Sequence, residues 1–234
     1  MDVERGDWRA GLQRYGLDSN QLAQLASILS ELERSERAPT SVRDPREAVD
    51  AHLADSLVGL DFDELRSAFT VADMGSGPGF PGTALAVALP DAHFSLIESQ
   101  RRKCEFLAGL CAAARIANAS VTCTRVEDWR EGEGANDAVL ARALAPQPVV
   151  LEYAAPLLRR GGALLDWRGR RDAAQERDAA AVAEQLGLAL REIRHVQPFA
   201  QARDRHVHVF VKEQPTPQRF PRRAGMARKR PLAA

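Results

Sequence analysis

The segment Asp73-Met74-Gly75-Ser76-Gly77-Pro78-Gly79-Phe80-Pro81-Gly82 follows a short apolar run and precedes a helical one. Glycines at such a junction let the backbone turn tightly and approach a ligand closely. Read as Gly77-x-Gly79-x-x-Gly82, the loop also fits the dinucleotide fingerprint, so spacing alone leaves two cofactor classes open. Two residues lean away from a dinucleotide. Asp73 sets a carboxylate just before the first glycine, and Pro81 removes an amide donor at the helix start, where a pyrophosphate needs donors. S-adenosylmethionine has no phosphate and needs none.

A second acid, Glu98, ends the next apolar run. At the carboxyl edge of a parallel sheet its carboxylate can accept hydrogen bonds from both hydroxyls of a ribose. Val126 and Glu127 follow the third run, where a side chain can border an adenine ring and a backbone amide can meet a ring nitrogen. Acid/base machinery is not in view. His52, His93, His195, His206 and His208 are scattered, and none sits in a recognisable motif. His206 and His208 share one side of the last strand, but no third ligand accompanies them, so no metal is expected. Trp129 and Trp167 each follow a strand and read as packing residues.

The elements that must hold these groups are legible from hydrophobic period. Leu22, Leu25, Leu29 and Leu32 keep helical spacing within residues 18–36. Asp44-Pro45-Arg46-Glu47 then supplies an N-cap, a proline at the first helical position and an acid three residues after the cap. Val49, Leu53, Leu57 and Leu60 continue that second helix, so residues 1–65 read as a helical extension without strands. From Thr70 the pattern alternates. The strands read as TVADM, HFSLIES, SVTCTRV, DAVLARA, GALLDWRG, LALREIRHV and RHVHVFVKE, and the helices between them as PGTALAVAL, RRKCEFLAGLCAAARI, QPVVLEYAAPLLRR and RDAAQERDAAAVAEQLG. The last two strands adjoin without a helix and should pair antiparallel at the sheet edge, which a purely doubly wound dinucleotide domain lacks. The expected fold is therefore α/β, a Rossmann-like class I methyltransferase sheet of seven strands with helices on both faces.

The 234 residues suit one such domain, spanning residues 66–214, between the helical extension and a tail over 215–234. Hydrophobic residues make up 45% and charged residues 27%, with no apolar run long enough for a membrane span. The start, MDVERGDWRAGLQRYG, lacks an apolar signal core, so a cytoplasmic location is expected. Cys104, Cys111 and Cys123 form no CxxC pair and read as small buried hydrophobes in a reducing compartment. The 32 basic and 32 acidic residues cancel. Their distribution is uneven: the tail carries Arg219, Arg222, Arg223, Arg228, Lys229 and Arg230 and no acid, which suits either a solvated segment or contact with nucleic acid.

The loop DMGSGPGFPG, with ESQRRKCEFL after it, resembles the bacterial 16S ribosomal RNA guanine-N7 methyltransferases (the RsmG, or glucose-inhibited division protein B, family). SVRDPREAVDAHLADSL, ARAL, PLLRRGGALLDWRG and TPQRFPRRAGMARKRPL agree as well, so the likeness spans nearly the whole chain. It implies methyl transfer from S-adenosylmethionine to N7 of a guanine in the 530 loop of the small-subunit RNA. The implied cofactor contacts fall on Gly75, Phe80, Val126, Glu127 and Arg142, beside Asp73, Gly77 and Glu98 from the loop and sheet reading. Two departures stand out. The family's asparagine-bearing stretch before the RDP segment is replaced by ELERSERAPTSV, and Arg168 precedes Gly169 where the family tends to have lysine.

Guanine N7 carries a free lone pair at neutral pH, so its methylation requires no strong base, in keeping with the scattered histidines. Positioning is what such a reaction needs, and Arg142, at the end of strand four, is the first candidate to orient the base. Arg168 and the tail cations Arg219, Arg222, Arg223, Arg228, Lys229 and Arg230 are expected to meet RNA phosphates. The partner is then the small ribosomal subunit, met by a monomer. The alternative is the same fold acting on another RNA or a small molecule; a small-molecule substrate would call for a lid or pocket insertion, which is not seen in the sequence. A nicotinamide oxidoreductase would require a second substrate region, and a silent RNA-binding protein an eroded loop; neither feature is present.

Overall fold

The structure, a computed structural model, describes residues 8–42 and 44–233. The first seven residues of the start that lacks a signal core, and Arg43 of the RDP segment, lie outside the described residues. Helix α1 (Ser19–Arg34) starts where Asp18 accepts from the Gln21 amide at 2.8 Å while the Gln21 side chain accepts from the Asp18 amide at 2.9 Å. This reciprocal cap satisfies two donors that a helix start leaves bare. The same Gln21 side chain donates to the Val87 carbonyl at 3.0 Å, tying the helix to the domain behind it. The buried stripe is Leu25, Ile28, Leu29 and Leu32, with Leu22 only half-buried.

Asp44 caps helix α2 (Pro45–Ala48) by accepting from the Arg46 and Glu47 amides at 2.9 and 3.0 Å. The helical run does not stay regular. It widens to a π-helix over Val49–Ala54, returns to α3 (Asp55–Leu57), tightens to a 3-10 turn over Val58–Asp61 and gives way to α4 (Asp63–Arg66). A π segment rotates the side chains that follow it relative to an ideal helix, and such segments recur at functional sites.

Strands β1 (Thr70–Met74), β2 (His93–Glu98), β3 (Ala119–Cys123), β4 (Asn136–Arg142), β5 (Leu158–Arg168), β6 (Leu188–His195) and β7 (His206–Lys212) form one sheet in the order β3-β2-β1-β4-β5-β7-β6. The first five are parallel, and β7 runs antiparallel to both β5 and β6. The seven strands and the reversed edge are those expected. On one face the N-terminal helices, α5 (Gly82–Ala88) and α6 (Arg101–Ala113) pack against Val71, Phe94, Leu96, Leu140 and Leu165. On the other, α7 (Gln147–Leu157) and α8 (Ala173–Gln185) cover Ala72, Met74, Val139, Leu164 and Phe210. Successive strand residues thus serve opposite cores.

Three expectations need correction. The LRR stretch expected to close α7 is already strand, because β5 begins at Leu158. Asn136 ends the helix by donating to the Leu157 carbonyl at 3.0 Å, and a side chain at Gly162 would lie 2.8 Å from the Asp137 carbonyl, so the strand passes there only as glycine. The cysteines are not all free. Cys104 and Cys123 form a disulfide with Cα atoms 5.8 Å apart, and Cys123 is exposed. The first turn of α6 lies over the end of β3, which brings them together; only Cys111 is a free buried thiol, pushed up to about 11 by burial. The basic tail, finally, is folded. Phe220 and Ala227, the latter in the short helix α9 (Met226–Lys229), are buried against the α7 and α8 face. No helix among the described residues is long and apolar enough to cross a membrane.

Candidate active site

The carboxyl ends of β1, β2, β4 and β5 and the π-helix enclose a cavity of about 950 Å³. Its floor is the glycine loop. Gly75 and Gly77 take positive φ, 67° and 53°, and a side chain at Gly75 would lie 2.5 Å from Leu144 Cδ1, so this turn accepts only glycine. Asp73 stands behind the loop, 1% exposed and outside the cavity lining, and accepts from the Gly82 amide at 3.1 Å. It pins the start of α5, which differs from the direct cofactor contact expected of it. Its second oxygen, Oδ1, is buried without a partner among the described residues, and burial pushes the carboxyl up to about 6.

Glu98 reaches the cavity as expected. One carboxylate oxygen accepts from the Gly77 amide at 3.2 Å and the other from the Gln100 amide at 2.8 Å. The oxygen that meets Gly77 keeps a further lone pair for a hydroxyl, while the other also receives a long bond from Ser99 Oγ at 3.5 Å. Val126 and Glu127 lie in a 3-10 turn beyond β3 and line the same wall. Glu127 Oε1 accepts from the Gly225 amide at 2.8 Å, so the tail buttresses this wall.

The opposite end of the cavity is built in part by residues to which the sequence alone assigns no role. Phe80 stacks on the His52 ring, with centroids 4.6 Å apart and planes 4° from parallel. Burial, with the Arg142 charge nearby, pulls the imidazole down to about 4, so it is neutral at neutral pH. Arg142 Nη1 donates to Asp55 Oδ2 at 2.8 Å, to the Ala51 carbonyl at 3.2 Å and to Ser56 Oγ at 3.4 Å. Asp55 also ion-pairs with Arg205 at 3.4 Å, and its backbone carbonyl accepts from the Trp167 indole at 2.8 Å. Arg142 and Asp55 thus form a largely buried ion pair. Trp167 both packs and lines the cavity. His52, Asp55 and Ser56 fall three and four residues apart, a polar face beside the Leu53 and Leu57 stripe, and that was the available signal.

Arg168 lines the cavity and donates from Nε to Asp166 at 2.7 Å. Lys103, Arg125, Arg205 and Arg228 join it around the rim. Among the tail cations, Arg219, Arg223, Arg228, Lys229 and Arg230 are exposed. Arg222 is engaged elsewhere: it donates to the buried Glu152 carboxylate from Nε at 2.8 Å and from Nη2. Arg228 also donates to the Leu144 carbonyl at 3.0 Å.

The donor set suits S-adenosylmethionine. A carboxylate placed against a loop amide repels a pyrophosphate yet suits ribose hydroxyls, and Ile97, Phe80 and Val126 supply apolar wall. Gly75, Gly77, Glu98, Val126 and Glu127 would hold it.

Sheet order, reversed seventh strand and phosphate-averse cofactor edge together define a class I S-adenosylmethionine-dependent methyltransferase. Solved structures of similar fold include Aeropyrum pernix fibrillarin with bound S-adenosyl-L-methionine, at TM-score 0.54 and 17% identity over 68% of this chain and 73% of that one. Another is the [4+2]-cyclase SpnF, at TM-score 0.58 and 13% identity over 84% of this chain and 97% of that one. The family is narrower. A family model for rRNA small subunit methyltransferase G (GidB) matches residues 18–207, and the chain belongs to that family. It is 39% identical to the ribosomal RNA small subunit methyltransferase G of Syntrophomonas wolfei over 79% of this chain and 86% of that one. The protein of the same name from Synechococcus sp. (strain JA-3-3Ab) is 34% identical over 95% and 88%.

Proposed function

We propose that the chain transfers the methyl group of S-adenosylmethionine to N7 of a guanine in the 530 loop of 16S rRNA, acting in the cytoplasm as a monomer on the small ribosomal subunit. The observation that carries this reading is the Arg142 guanidinium beside the cofactor edge. Asp55, Ala51 and Ser56 engage Nη1, while Nε and Nη2 have no hydrogen-bond partner among the described residues. A guanidinium edge held in this way can donate to guanine O6 and set N7 in line with the transferred carbon.

The cofactor, when bound, supplies a methyl that is already electrophilic. The protein's task is then alignment and exclusion of water, and such positioning supplies roughly 7–11 kcal/mol in well-oriented cases. N7 brings its own lone pair, and the one imidazole in the cavity wall, His52, is neutral and stacked on Phe80. Lys103, Arg125, Arg168 and Arg205 around the mouth, with the exposed tail cations, suit the phosphates flanking the base.

The test incubates the protein with tritiated S-adenosylmethionine and small subunits from a strain deleted for its gene. Borohydride reduction and aniline cleavage, read by reverse transcription, then locate the label. A single stop in the 530 loop is expected; cofactor binding without label on any rRNA would overturn the substrate assignment.

A further inference from the structure

Behind the cavity lies a buried polar chain that the reaction as described does not use. Asp166, near the end of β5, is 1% exposed, and its Oδ2 accepts from Arg168 Nε at 2.7 Å and from Gln147 Nε2 at 2.9 Å. The same Gln147 amide lies 3.0 Å from Nδ1 of His208, which stands opposite Asp166 across the β5–β7 ladder. An amide nitrogen only donates, so His208 accepts at Nδ1 and carries its proton on Nε2. Gln147 opens α7, five residues after Arg142. The chain therefore joins the strand that bears Arg168 to the loop that follows Arg142.

Two donors in this group have no partner among the described residues: Nη2 of Arg168 and Nε2 of His208, both buried. A half-satisfied buried network is a poor way to build stability, since apolar residues of the same volume do at least as well. What the acid does accomplish is geometric. A guanidinium can give Nε to a carboxylate and still present another nitrogen to a second anion, which a single ammonium point charge cannot match. Arg168 itself lines the cavity.

We propose that Asp166 is a positioning residue for the methyl acceptor: by engaging Arg168 Nε, with Gln147 and His208 holding it from behind, it turns Arg168 Nη1, the nitrogen of the fork that is neither hydrogen-bonded nor buried, toward an oxygen of the RNA. The inference rests on the proposed action on small-subunit RNA. Asp166 acts through Arg168 and touches no substrate.

A double-mutant cycle on the full chain tests it, with initial rates measured on small subunits and cofactor affinity measured separately. Asp166→Asn keeps the volume and removes the charge, and should raise KM for subunits about tenfold, the difference between a charge-assisted and a neutral hydrogen bond. The kcat and the affinity for S-adenosylmethionine should stay unchanged. Arg168→Ala should raise KM at least as much, and the double variant should be no worse than Arg168→Ala alone. Losses that multiply in the double variant, or an Asp166→Asn defect confined to cofactor affinity, would overturn the inference. Should Asp166→Asn fail to fold, Gln147→Leu reads the same cycle: a smaller rise in KM that vanishes in the Arg168→Ala background. A wild-type chain that labels no subunit overturns the functional reading as well, whereas an active wild type with a multiplicative cycle overturns the positioning role alone.

Discussion

Glu127 in the cavity wall accepts a hydrogen bond from the amide of Gly225 at 2.8 Å, across 98 residues of sequence. The basic tail is thereby part of the cavity as well as a carrier of charge. Phe220 and Ala227 anchor it in the core beneath α7, and Arg222 anchors it to Glu152. Two roles follow for one segment, and they separate by residue.

Arg222 should matter for stability. Glu152 is 1% exposed, so removing its partner leaves a buried, unpaired carboxylate. Arg222→Ala is expected to cost about 3–5 kcal/mol, and thermal unfolding should show a Tm lower by about 10 °C in a chain of this size. Adding Glu152→Leu should recover most of that loss. An unchanged Tm in Arg222→Ala with weakened RNA binding would instead return Arg222 to the RNA-facing set.

Arg219, Arg223, Lys229 and Arg230 are exposed and should behave in the opposite way. Replacing them by alanine is expected to leave Tm in place and weaken binding to small subunits. The slope of log K against log salt should fall by roughly one for each RNA phosphate that is no longer neutralised. Binding with an unaltered salt slope would place these cations away from the RNA.

How far the sequence reveals this arrangement depends on the kind of signal. The seven strands show in period and composition, because a parallel sheet covered on both faces is built from short apolar runs. Glu98 is legible because a strand end at the carboxyl edge has one predictable location. The acceptor end is different. Asp55 meets Arg142 across 87 residues, through a π-helix that no hydrophobic period announces. Arg222 shows why charge runs mislead: one cation among six is spent inside, on an acid that sequence places mid-helix in α7. The disulfide is hidden for a similar reason, since Cys104 and Cys123 approach only because α6 folds back over β3.

Acid titration should expose Asp166 and His208 separately. Burial is the main cause of both shifts: it pushes Asp166 up to about 6 and pulls His208 down to about 4. A depressed histidine loses stability as pH falls below its ordinary value of 6.5 toward 4, because the unfolded chain takes the proton first. A raised carboxyl gains stability as pH falls through 6 toward 3.8, because the folded chain takes it first. The two effects oppose each other in one window and are each worth about 1–2 kcal/mol near pH 5. Asp166→Asn should therefore lose Tm more steeply than wild type between pH 7 and pH 5, and His208→Gln less steeply. Parallel curves for all three proteins would show that these groups titrate normally.

Asp55 is the residue on which the acceptor end depends most. Its carboxylate holds Arg142 by one oxygen and Arg205 by the other, and its backbone carbonyl holds the Trp167 indole. Asp55→Asn keeps the shape and an acceptor but removes the charge that orients two cations. Displacing a positioning group by about 1 Å can cost about 100-fold in rate. A fall of that order in kcat on small subunits is expected, with the fold retained by circular dichroism. The companion variant Arg205→Ala removes only the more exposed cation, so it should act mainly on KM. If Asp55→Asn turned over at the wild-type rate, the Arg142 guanidinium would not be the group that orients the base, and the acceptor site would have to be sought elsewhere along the cavity rim.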